Sequence, residues 1–210
     1  MRVPRSPKLF LLSPARCDGR RAKALLNPAA EFPLAVQLRS SEGATLGEVF
    51  SFLSGLYFRG KLTYARAFAT AGTGNEVRII TTNSGLLAPD ERVLPQDLID
   101  FACVDLGAAG ESFERPLLAD AAQLVRALGD AVEAVLLGSI ATNKYAGPLA
   151  RVFGERLLFP KEFIGRGDMS RGGLLLRHAA SGNELEYIPV ASAVRHGKRP
   201  PRLAPIPKIR

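Results

Sequence analysis

The chain has 210 residues, 47% of them hydrophobic and 23% charged, with a formal net charge of +8. That length fits one domain, or one domain with a tail, and the composition is that of an ordinary globular chain. No apolar run approaches the ~20 residues of a membrane span, and two cysteines and two histidines without C-x-x-C spacing give no zinc-site pattern, so no metal or cofactor is expected.

The first 23 residues carry seven Lys/Arg against Asp18, and the stretch that follows the first apolar run is basic and irregular to about Leu26. That run, Lys8 to Ser13 (KLFLLS), reads as a buried first strand closed by Pro14. Its apolar core is shorter than the ~7–15 residues of a secretory signal, which favours a cytoplasmic protein. Pro33 to Leu38 (PLAVQL) reads as a second strand. Thr45-Leu-Gly-Glu48 is a capping box, followed by Leu46, Val49, Phe50, Leu53, Leu56 and Tyr57 at helical spacing. Gly60 interrupts that face, and Leu62, Ala65 and Phe68 resume it.

Glu76 to Thr82 reads as a β-branched strand, with Pro89-Asp90 as a turn and Pro95 to Phe101 as a short helix. A longer helix is expected from Pro116 to Leu128, with Gly129 as its stop. Val132 to Leu137 is the next strand, and a helix follows from Thr142 to Phe153. Arg156 to Phe159, Gly173 to His178 and Glu184 to Ile188 read as further strands. The alternation predicts an α/β fold, a three-layer sandwich around a central, mostly parallel sheet. Residues 1–190 form the single domain expected, and 191–210 a basic, proline-rich tail with little fixed structure. From Tyr187 onward there are six Lys/Arg and no acid, so the two ends carry the positive charge and attract polyanions.

In open α/β sheets, ligands bind beyond the carboxyl ends of the strands. Three strand ends turn polar and small here: 13–16, 82–85 and 138–145. The last brings Ser139, Asn143, Lys144 and Tyr145 to a helix start, where free amides attract anions; ordinary turns are the alternative. Glu162 to Arg177 (EFIGRGDMSRGGLLLR) reads as a glycine-arginine loop. Its Arg166, Ser170 and Arg171 suit phosphate, and Asp168 suits a base N–H or a water. An internal Asp168–arginine pair is the alternative. If this loop hangs beside 138–145, the two make one electropositive hollow. Arg59, Lys61 and Tyr64 interleave cations with an aromatic ring, as a nucleic-acid backbone with a stacked base would require.

Leu9–Ser13, Lys61–Ala65 and Ser84–Asp90 together resemble a bacterial and archaeal group. That group includes the YaaA-like proteins and the middle domain of archaeosine tRNA-guanine transglycosylase. The resemblance implies a uracil-DNA-glycosylase-like fold and nucleobase-type ligands. Uracil-DNA glycosylases also carry an acid or amide just after the first strand and a late His-Pro-Ser. In this sequence Asp18 is the nearest acid after strand one, and no H-P-S occurs.

These observations favour a nucleic-acid-binding protein that recognises or processes a base. One form of it is a glycosylase-like hydrolase using Asp168, Lys144 and Asn143, and the rival is a non-catalytic DNA- or RNA-binding module or adaptor. A small-molecule nucleotide enzyme would need a phosphate-binding glycine motif, and Gly72-Thr73-Gly74 is followed by no matching glycine.

Overall fold

Strand β1 (Lys8–Leu12) is central to the core, with Leu9, Phe10, Leu11 and Leu12 all fully inaccessible. Successive side chains of a strand point to opposite faces, so β1 is covered on both. The computed structural model describes residues 7–69, 76–104, 110–195 and 197–204. Gly72–Gly74, His196 and the outermost basic residues, Arg2, Arg5, Lys208 and Arg210, lie outside them.

Around β1 are β3 (Val77–Ile80), β4 (Leu86–Leu87), β6 (Glu133–Leu137), β7 (Leu157–Pro160) and β8 (Tyr187–Pro189), in the order β4-β3-β1-β6-β7-β8. Phe10 lies opposite both Val77 and Val135, and β1 pairs in parallel with β3 and β6, as β6 does with β7. The two edge strands, β4 and β8, are antiparallel. The sheet is therefore mixed rather than mostly parallel: a short return from β3 adds β4 at one edge, and the chain comes back after a helix as β8 at the other. A separate pair, β2 (Ala44–Thr45) and β5 (Arg92–Val93), is antiparallel.

The helices are α1 (Arg20–Leu25), α2 (Pro33–Arg39), α3 (Leu46–Ser54), α4 (Leu56–Phe68), α5 (Pro95–Cys103), α6 (Gly110–Leu128), α7 (Asn143–Phe153) and α8 (Asp168–Ser181). Among the described residues, none is long and apolar enough to cross a membrane. α4 packs on β1 and α8, while α7 packs on α6, β6 and β7. With β1 covered on both faces, this is compatible with a three-layer arrangement.

Beside the mixed sheet and a helix α6 that starts at Gly110 and holds Pro116 in its interior, four expectations change. PLAVQL is helix α2: Pro33 starts it, and Ala35 and Leu38, three apart, are its buried residues. The break in the long helical pattern falls at Gly55, whose φ of 61° separates α3 from α4. Gly60 stays inside α4, where Gly172 crosses it: a Cβ on Gly60 would lie 2.6 Å from Gly172 O, and one on Gly172 2.7 Å from Leu56 O. The third change follows from that crossing, since Gly173 to His178 is not a strand but part of α8. Finally, part of the tail is placed: residues 197–204 run against α8, with Arg166 Nη1 donating to Pro201 O at 3.2 Å and Arg177 to Ala204 O.

Candidate functional site

Parallel strands end on one edge of a sheet, and here β1, β3 and β6 do so. Ser13 N donates to Leu137 O at 3.2 Å, and a Cβ on Gly138 would come within 2.9 Å of Ser13 Cβ. The strand ends open into a cavity of about 520 Å³ lined by residues 14–18, Thr82, residues 101–104, Lys144 and Tyr145. All three polar strand ends thus meet, and the C-terminus of α5 closes the far wall.

The walls are of mixed character. Asn143 and Lys144 are exposed in the first turn of α7, and half-buried Ser139 accepts from Ala141 N at 3.3 Å. Tyr145 packs edge-on against Phe113, and burial pushes its phenol up to about 12. Arg16 donates to Asp18 at 3.0 and 2.6 Å, and that bond, first of all, holds the exposed Asp18 carboxyl below the usual carboxylate range. Both cysteines of the chain also face this space. Cys17 is buried, and its desolvation, with a smaller contribution from Asp18, pushes the thiol to about 12, so it is no nucleophile at neutral pH.

Beside this cavity sits a buried cation. Lys61 is 1% exposed; its Nζ donates to Ser13 O at 2.5 Å and to Ser13 Oγ at 3.0 Å. The ammonium lies 4.6 Å from the Tyr57 ring centroid and 4.7 Å from that of Phe58. Burial brings its pKa down to about 7, against a smaller upward pull from Asp168, while Arg171 pushes further down. Tyr57 Oη is buried without a hydrogen-bond partner, and burial raises its pKa. Lys61 is therefore a core cation that ties α4 to the end of β1, not a surface contact for a nucleic-acid backbone. Tyr64 is also core: it is fully buried, shares a 2.6 Å hydrogen bond with Tyr187 and accepts from Leu185 N at 2.8 Å. Its ring cannot stack on an incoming base from there. Of that trio only Arg59 is exposed.

The glycine-arginine segment is not a loop throughout: from Asp168 onward it is α8, and only residues 162–167 precede that helix. Arg171 is turned inward, donating to Phe163 O at 3.3 and 3.1 Å and lying 5.2 Å over the Phe163 ring. Arg166 donates to Glu162 O at 3.0 Å and to Ser170 Oγ at 3.2 Å. Asp168 keeps a side chain 70% exposed, with Arg171 Nη1 at 3.9 Å, so its carboxylate is not absorbed by internal bonding. Asp168 and Lys144 do not share a cavity. No α8 residue lines the strand-end space, and α8 instead borders two others. One, about 690 Å³, has Arg21, Arg59 and Met169 on its walls; the other, about 300 Å³, lies between α8 and the tail. The single expected hollow is thus divided. Ser13 itself touches Gly138 on one side and Lys61 on the other.

The chain matches no known family model, no curated protein and no solved structure. Two features escaped the sequence reading. One is the role of Asp18: noted only as the nearest acid after strand one, it lines the strand-end cavity together with Arg16. Lys61 sits four residues after Tyr57 and three before Tyr64, the spacing of one helical face.

Proposed function

We propose that this protein binds nucleic acid and recognises a base, on a uracil-glycosylase-like fold related to the YaaA-like group. The observation that carries this reading is the strand-end cavity. Its volume of about 520 Å³ falls in the ~300–1,000 Å³ range of small-ligand sites. Phe101 and Tyr145 offer aromatic surface for the face of a base, while Thr82, Asp18 and Lys144 offer hydrogen-bonding groups for its edge. The basic ends of the chain supply attraction for the phosphate backbone. DNA and RNA are equally served by these groups.

A second, catalytic reading has one observation in its favour: an acid and an amine, Asp18 and Lys144, line the same cavity. In N-glycosidic hydrolysis, water attacks C1′ as the C1′–N bond breaks. Asp18 takes the proton of the water, and Lys144 gives one to the departing base. Asp18 replaces Asp168 in this role because Asp168 faces elsewhere.

Oligonucleotides with an intact base and with one abasic position distinguish these readings. Base recognition requires tighter binding to the intact strand, and Tyr145→Ala and Lys144→Ala should remove most of that preference. Equal affinity of the unaltered protein for both strands would end the base-recognition reading. Release of free base that stops in Asp18→Asn, with binding retained, would establish the hydrolase; no release leaves the binding module.

A further inference from the structure

The tail does more than add charge, because it builds one wall of a space. Gly165, with φ of 72°, lets the chain pass so close that a Cβ there would lie 2.1 Å from Lys198 O. Gly173, half-buried on α8, leaves room for Leu203, whose Cδ1 would be 3.6 Å from an added Cβ. Between helix and tail remains the hollow of about 300 Å³, and four of the residues that line it are Arg166, Arg177, Arg199 and Arg202. Among the described residues, no carboxylate lines it.

These arginines have two kinds of duty. Arg166 and Arg177 hold tail carbonyls and so fix the shape, yet Nε of Arg177 remains buried without a partner. Arg199 and Arg202 are exposed, and neither has a hydrogen-bond or ion-pair partner among the described residues. Four guanidinium groups gather positive charge around one small space, and a bound anion would offset it. Guanidinium forks match phosphate oxygens in paired hydrogen bonds.

We propose that the α8–tail hollow is a phosphodiester-binding site, a second nucleic-acid contact separate from the strand-end cavity. The inference rests on the nucleic-acid reading above and adds the place where the backbone is held. Its position explains why cationic residues lie beyond the last strand: the tail is a clamp folded back on α8, which carries Arg177, and on the turn before it, which carries Arg166.

The test uses the full chain and a fluorescent oligothymidylate titrated at several salt concentrations. Arg199→Ala/Arg202→Ala should weaken binding about tenfold and make the salt slope shallower by about 1.4, the value for two lost contacts to a single strand. Gly173→Leu changes no charge and favours the helix, but its side chain occupies the hollow, so it too should weaken binding. Thermal melts identify any variant that fails to fold. Unchanged affinity and slope in the folded variants, beside a parent that binds, overturn the clamp and leave base recognition standing. A parent that binds no oligonucleotide overturns both.

Discussion

Lys61 shows how one side chain can carry a measurable consequence of burial. Its pKa falls from 10.5 to about 7 because the charged form loses its water. Below pH 7 the folded and unfolded chains both hold the proton, and the penalty is present in full. Between about 7 and 10.5 the unfolded chain holds a proton that the folded one has released, so stability rises with pH across that window. At ~1.36 kcal/mol per unit the gain is on the order of 5 kcal/mol. Denaturant titrations at stepped pH should show this rise in the parent chain and its absence in Lys61→Met; parallel curves for the two would refute it. The neighbouring Tyr57 hydroxyl is buried and unpartnered, so Tyr57→Phe should leave stability unchanged or raise it by about 1 kcal/mol. A loss above that size in the same titrations would mean that the hydroxyl has a partner.

At the scale of elements, the crossing of α4 and α8 is where backbone geometry leaves least freedom. Gly60→Ala and Gly172→Ala each put a methyl within 3 Å of main chain on the opposite helix. Main chain cannot rotate aside as a side chain can, so each variant should lose at least ~2 kcal/mol in denaturant titrations, although alanine favours helix. A gain in either would mean that the helices do not cross there. The same crossing explains the largest error of the sequence reading. Gly172 and Gly173 look like loop residues by propensity, and Leu174–Leu176 like a strand, but contact with α4 overrides both. PLAVQL failed for a different reason: six apolar-rich residues fit strand or helix equally, and Pro33 alone favoured the latter. The capping box was legible because its signal is local, with Thr45 Oγ1 accepting from Glu48 N at 3.3 Å. So was β1, whose unbroken apolar run suits a strand covered on both faces. The site was half legible. Polar strand ends announced the cavity, whereas the separation of Asp168 from Lys144 depends on how helices pack and has no local trace.

For the whole molecule, charge is distributed so that a mildly acidic body carries two cationic ends, one leading into the strand-end cavity at Arg16 and the other folded along α8. Such a molecule should bind nucleic acid with an affinity dominated by released counterions and graded by what fills the cavity. The most direct measurement is the affinity of the unaltered protein for single- and double-stranded DNA and RNA over a series of salt concentrations. The account predicts binding at low salt that weakens linearly on a log–log plot with a slope of at least about −2, and that is stronger for a strand with an unpaired base than for fully paired duplex. Negligible binding to all four at the lowest salt would contradict it.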